Sequence, residues 1–128
     1  MISILAGLIA SMLAFLFNRF LFSKLGDWTI VYLVPIGEEI FKSGFAYYLG
    51  ANLVMTHLIF GVLEAGFDFF HSNKLAVVLA VLTHLLLGSL TFYCWTSSNN
   101  LIIAIVIAAL VHTVWNYSIR RVNYEINL

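Results

Sequence analysis

The stretch WTIVYLVPIGEEIFKSGFAYYLG, residues 28–50, decides the fold. It is about as long as the ~20 apolar residues that cross a bilayer core. Yet Glu38 and Glu39 stand at its centre, with Pro35 a turn before them and Lys42 a turn after. A carboxylate in hydrocarbon costs at least a few kcal/mol, so two adjacent ones are not explained by packing. They mark an intramembrane enzyme or transporter rather than an inert span.

Composition agrees with a membrane class. Of the 128 residues 62% are apolar and 9% charged, against ~25% charged in an ordinary soluble domain. That much apolar surface requires lipid to cover it. The formal net charge is zero, which leaves no basic patch for nucleic acid. Cys94 is the one cysteine, so no internal disulfide can form and the redox compartment stays open.

Outward from residues 28–50, the hydropathy pattern predicts an all-α, polytopic membrane bundle of five spans in a single integral membrane domain covering 1–128. The spans run about 2–22, 28–49, 51–70, 74–95 and 100–118, separated by SKLGD, a Gly50 junction, HSNK and TSSNN. The first has no basic residue before its apolar run and no small-x-small cleavage site, so it reads as a retained helix rather than a signal peptide. Arg19 and Lys24 flank the first loop, Lys74 lies in the third, and Arg120 and Arg121 follow the last span. An outside N-terminus and a cytoplasmic C-terminus put all of them on the cytoplasmic side, as expected for a protein of the cell membrane. Trp28 and Trp95 suit interfacial anchoring.

Within the spans the polar residues recur at helical spacing. Glu38 and Lys42 are four apart and Glu39 and Lys42 three apart, so either pair can meet. His57, Gly61, Glu64, Asp68 and His71 form one stripe on the next helix; His84, Gly88 and Thr91 form another, and His112 with Asn116 a fourth. Four polar faces can satisfy one another only by turning inward. Counted from the cytoplasmic ends, Glu38 and His84 lie about ten residues deep and Glu64 and His112 about six, one layer at ~1.5 Å per residue. Taken singly, His57 and His71 read as helix–helix hydrogen-bonding groups, and Asp27, Asp68 and His71 as interfacial and solvated. The phenylalanines read as lipid-facing or packing groups and the glycines as points of close helix contact. Glu38, Glu39, Lys42, Glu64, His84 and His112 read as functional.

Three chemistries fit those residues. One is hydrolysis with a glutamate base: burial and a neighbouring acid bring a carboxyl toward the working pH. Lys42 would hold one of the Glu38–Glu39 pair ionised, and His84, His112 and Asn116 would orient water or donate to an oxyanion. A second is a zinc site from Glu64, His84, His112 and one of the two glutamates, although no HExxH is present. The third is a proton-coupled carrier, for which five short helices without inverted repeats are a small scaffold.

Four segments also resemble one family. GEEIFKSG looks like the EExxK motif of PrsW-type intramembrane proteases, relatives of the CAAX prenyl protease and the Abi (CPBP) proteins. FGVLEAGFD, with Phe60 and Glu64, resembles their FxxxE segment, where the CAAX branch has a histidine. THLLLGSL, with His84 and Gly88, is similar to the histidine-bearing third motif, and HTVWN, with His112 and Asn116, to the terminal HxxxN/D motif. The resemblance covers about residues 31–118. It implies a glutamate-dependent membrane endopeptidase acting on a membrane-anchored protein or peptide without an obligatory cofactor. Glu38 would activate water, Glu39 and Lys42 organise the pair, and His112 and Asn116 stabilise the oxyanion. The chain departs from the pattern in being short, in lacking helices that could gate a substrate, and in having Lys42 where the CAAX branch has an arginine at another spacing. A non-proteolytic carrier or binding scaffold built on the same core is the alternative expectation.

Overall fold

A computed structural model describes residues 1–71 and 74–126. The side chains of Asp68 and His71, expected in the polar stripe, and those of residues 122–126 lie outside the described residues, as does most of the HSNK break. Among the described residues six helices follow in order: α1 Ile2–Leu25, α2 Thr29–Tyr32, α3 Val34–Tyr48, α4 Leu53–His71, α5 Lys74–Ser98 and α6 Leu101–Ile126. The described residues contain no strand. The all-α bundle expected from the hydropathy pattern is the observed architecture.

Local chemistry sets the helix ends. Asn52 and Asn100 cap α4 and α6: their side-chain oxygens accept from the N–H groups of Met55 and Ile103 at 2.9 and 3.2 Å. Gly50, at φ 63°, closes α3, and the Ala51 N–H reaches back to the Ala46 carbonyl at 2.8 Å. The expected single span over 28–49 is divided at Leu33. Pro35 has no N–H to give to Val31. On either side the Leu33 N–H bonds Thr29 at 2.9 Å and the Gly37 N–H bonds Leu33 at 3.1 Å.

Among the described residues three helices, α1, α5 and the Leu101–Arg121 part of α6, are long and apolar enough to cross a membrane by themselves. Two shorter helices, α3 and α4, carry Glu38, Glu39, Lys42, His57 and Glu64. α3 has 15 residues, and the apolar part of α4 is Leu53–Phe67. α3 packs against α1, α4 and α6, while α4 also lies along α5.

The bundle is apolar outside and polar inside. Phe20, Phe69, Leu86, Ile102 and Val114 are exposed, whereas Glu39, Lys42, His57, His84 and His112 are buried. Such a surface suits hydrocarbon, and the polar groups turn inward because lipid offers them no partners.

Small residues allow this convergence. Ala6, Ala10 and Ala14 line the buried face of α1. α4 and α5 exchange a reciprocal contact: a Cβ on Gly61 would stand 2.8 Å from the His84 Cβ, and one on Gly88 would stand 2.7 Å from the His57 Cβ. Each histidine is seated over a glycine of the opposite helix. Gly66, by contrast, has open space where a Cβ would go. Gly61→Ala and Gly88→Ala are therefore expected to lose about 1–3 kcal/mol through overpacking. Gly66→Ala should be neutral or gain up to ~1 kcal/mol from helix propensity. Thermal unfolding in detergent, followed by helical circular dichroism, measures all three.

Candidate functional site

The site is built around an ion pair that neither water nor lipid touches. Lys42 and Glu39, one helical turn apart on α3, are both fully buried, and the Lys42 Nζ donates to Glu39 Oε1 at 2.6 Å. Of the two pairings open to Lys42, the structure forms the one with Glu39. The ammonium also donates to His84 Nδ1 of α5 at 2.9 Å and lies 4.7 Å from the centre of the Phe60 ring on α4.

The partners fix the tautomers. Because His84 Nδ1 accepts from Lys42, its Nε2–H donates to the Glu64 carboxylate of α4. His112 on α6 donates from Nδ1 to Glu39 Oε1 at 2.9 Å, which in the neutral ring leaves its Nε2 as an acceptor. That Nε2 lies 3.9 Å from Glu38 Oε2. The other Glu38 oxygen accepts from the Asn18 amide of α1 at 2.9 Å. Glu38 and Glu64 are thus the two ends of one chain: Glu38, His112, Glu39, Lys42, His84, Glu64.

A second arm leaves Glu39. His57 Nδ1 faces Glu39 Oε2 at 3.8 Å, and its Nε2 meets Ser43 Oγ at 3.2 Å. Among the described residues Glu39 Oε2, His57 Nδ1 and the Asn18 carbonyl oxygen have no hydrogen-bond partner.

Two clefts reach the chain's ends. One, about 470 Å³, is lined on its polar side by Asp27, Thr83, Glu64, His84, His112 and Asn116. The other, about 890 Å³, lies between α1 and α4 among Met12, Phe15, Phe22, Leu63 and Phe67, with Glu38 and Glu64 in its wall. Glu64 lines both clefts; its side chain is 41% exposed, against 6% for Glu38.

The residues predicted from sequence are therefore brought together, with one displacement. Asn116 was expected to donate to an oxyanion beside His112; its amide instead donates to the Ile30 carbonyl of α2 at 3.1 Å. The residues of the expected zinc set are engaged in hydrogen bonds with one another and with Lys42. His84 has both ring nitrogens engaged, one of them by the Lys42 ammonium, which would repel a cation. Among the described residues no three His, Cys, Asp or Glu side chains are grouped to hold a metal ion.

The sequence pattern passed over Asn18 and Ser43, while His57, expected as a helix–helix hydrogen-bonding group, meets Ser43 of α3 in that way. Their signals were present. Asn18 continues the four-residue spacing of the buried Ala6, Ala10 and Ala14, and Ser43 lies four residues after Glu39.

Fold and site together define a polytopic helical membrane protein with an ionisable core. Compared with known protein families, curated proteins and solved structures, the chain matches none.

Removing one member of the central pair should be costly and removing both much less so. Lys42→Met is expected to destabilise by about 3–5 kcal/mol, because it leaves the Glu39 carboxylate buried without its cation. Adding Glu39→Gln to Lys42→Met should recover more than half of that loss. Reversible unfolding of the single and double variants in mixed micelles checks the ordering.

Proposed function

We propose that this protein is an intramembrane hydrolase that cleaves a peptide bond of a membrane-embedded chain with water activated by Glu38. The observation that carries the reading is the facing of Glu38 Oε2 and His112 Nε2 at 3.9 Å, both acceptors, where the two clefts approach each other. One water donating to both would have its oxygen lone pair free for attack. Glu38 takes a proton from that water as the oxygen adds to the scissile carbonyl. The C–N bond then breaks as the proton passes to the leaving amine.

The remaining residues hold this arrangement. Asn18 fixes the Glu38 carboxylate, and Glu39 keeps the His112 lone pair turned toward it. Lys42 and His84 position Glu64, the second carboxyl beside the apolar cleft, to assist proton delivery. The apolar cleft suits a lipid-side substrate, a membrane-anchored protein or peptide. The four-motif resemblance to PrsW-type and CAAX-type proteases supports the same reaction. The contact of Arg120 with Asp27 sets the α1–α2 loop beside the far end of α6. That agrees with the expected topology, in which the α1–α2 loop and the C-terminal end of α6 share the cytoplasmic side and the N-terminus lies outside.

In liposomes containing a panel of single-span peptides, Glu38→Gln should lower the cleavage rate about 10²–10⁴-fold, the usual weight of general acid–base catalysis. Glu64→Gln should lower it less. Cleavage that survives Glu38→Gln removes Glu38 as the base. Glu38-dependent proton or solute flux across the same liposomes, with no peptide cut, would favour the carrier instead.

A further inference from the structure

Ile30 and Glu64 are the residues common to the linings of both clefts. Glu64 is fastened to His84, but Ile30 belongs to α2, a helix of four residues set between two breaks. On one side Gly26 has φ 86°, a left-handed backbone that favours glycine. On the other, the helix is interrupted at Leu33, two residues before Pro35. α2 therefore has a pivot at Gly26 and a weak point toward α3, where Leu33 stays in the right-handed helical region but the hydrogen bond that Pro35 cannot make is missing. Thr29 and Val31 anchor it in the bundle, while the Ile30 side chain stands between the clefts.

Two contacts from α6 hold it there. The Asn116 amide donates to the Ile30 carbonyl at 3.1 Å. One turn further, the Arg120 guanidinium donates to the Asp27 carbonyl at 2.9 Å and pairs with the Asp27 carboxylate. The latter pair is partly exposed, where such contacts are weak.

We propose that α2 is a partition between a water-side and a lipid-side cleft, latched by Asn116 and Arg120, and that tilting it joins the two at Glu38, Glu64 and His112. Asn116 is then a positioning residue for Ile30 rather than a donor to the reacting atoms. The closed partition keeps water out of the apolar cleft. The open one lets water meet a chain lying there. The purpose of this opening rests on the hydrolase reading; the partition itself can be detected without turnover.

Charged methanethiosulfonate labelling in lipid nanodiscs tests it, because a thiol reacts as its thiolate and so reports aqueous access. With Cys94 replaced by alanine, Thr83→Cys probes the water-side cleft and Leu63→Cys the lipid-side one. Thr83→Cys should react readily and Leu63→Cys slowly. Asn116→Ala should raise the Leu63→Cys rate about fivefold, the shift in opening that one net hydrogen bond commands, while leaving Thr83→Cys unchanged. Ile30→Ala, which cuts down the partition without touching the latch, should also raise it.

Equal Leu63→Cys rates with and without both changes would overturn the proposal, as would an unreactive Thr83→Cys. A third thiol, Ala104→Cys, sits at a fully buried position. If Asn116→Ala raises labelling there as much as at Leu63→Cys, the bundle has loosened as a whole and the partition is again refuted. Absence of peptide cleavage by the unsubstituted protein, with selective labelling intact, would refute the hydrolase reading alone.

Discussion

The buried pair of Lys42 and Glu39 sets the terms for the rest of the bundle. Two ions withdrawn from water lose solvation worth several kcal/mol each, and their mutual attraction compensates only if their remaining hydrogen-bonding capacity is met. The chain supplies that from four helices. His84 comes from α5, His112 from α6, His57 and the Phe60 ring from α4, and the pair itself from α3. Each helix contributes a group that could not lie in hydrocarbon alone. Packing and polarity therefore demand the same arrangement.

That arrangement is also directional. Lys42 can only donate and a carboxylate can only accept, so His84 between Lys42 and Glu64 has no choice of tautomer, while the neutral His112 ring is set by its Nδ1 donation to Glu39. The His84 proton is turned toward Glu64 and the His112 lone pair toward Glu38. Lys42 and Glu39 thereby fix the state of two groups at the clefts without lining either cleft themselves. A neutral replacement of similar shape could fill the same volume and still lose this orientation.

Much of this was legible in the chain because a charge among apolar residues is a strong signal. The positions of Glu38, Glu39, Lys42, Glu64, His84 and His112 along their helices were enough to bring them to one layer. The choice of Glu39 over Glu38 as the partner of Lys42 was not legible, since spacings of three and four both permit contact. It is decided by α1, which offers Asn18 to Glu38. The division at Leu33 was foreshadowed by Pro35, but the separate α2 depends on its contacts with α6. The partner of Asn116 was not legible for the same reason: it is a backbone carbonyl 86 residues away, and no side-chain pattern announces one.

The shortness of α3 has a further consequence for the surrounding bilayer. Fifteen residues rise about 22 Å, against a hydrocarbon core of roughly 30 Å, and Ile36, Ile40 and Tyr47 are exposed along this helix. α2, joined to α3 through Leu33 in the helical region, makes up most of the difference. A bilayer thicker than the pair can span would thin locally around it, drawing headgroups and water toward the level of Glu38. The lipid annulus around α3 becomes part of the site's environment, and membranes of different thickness would present the same residues with different depths of burial.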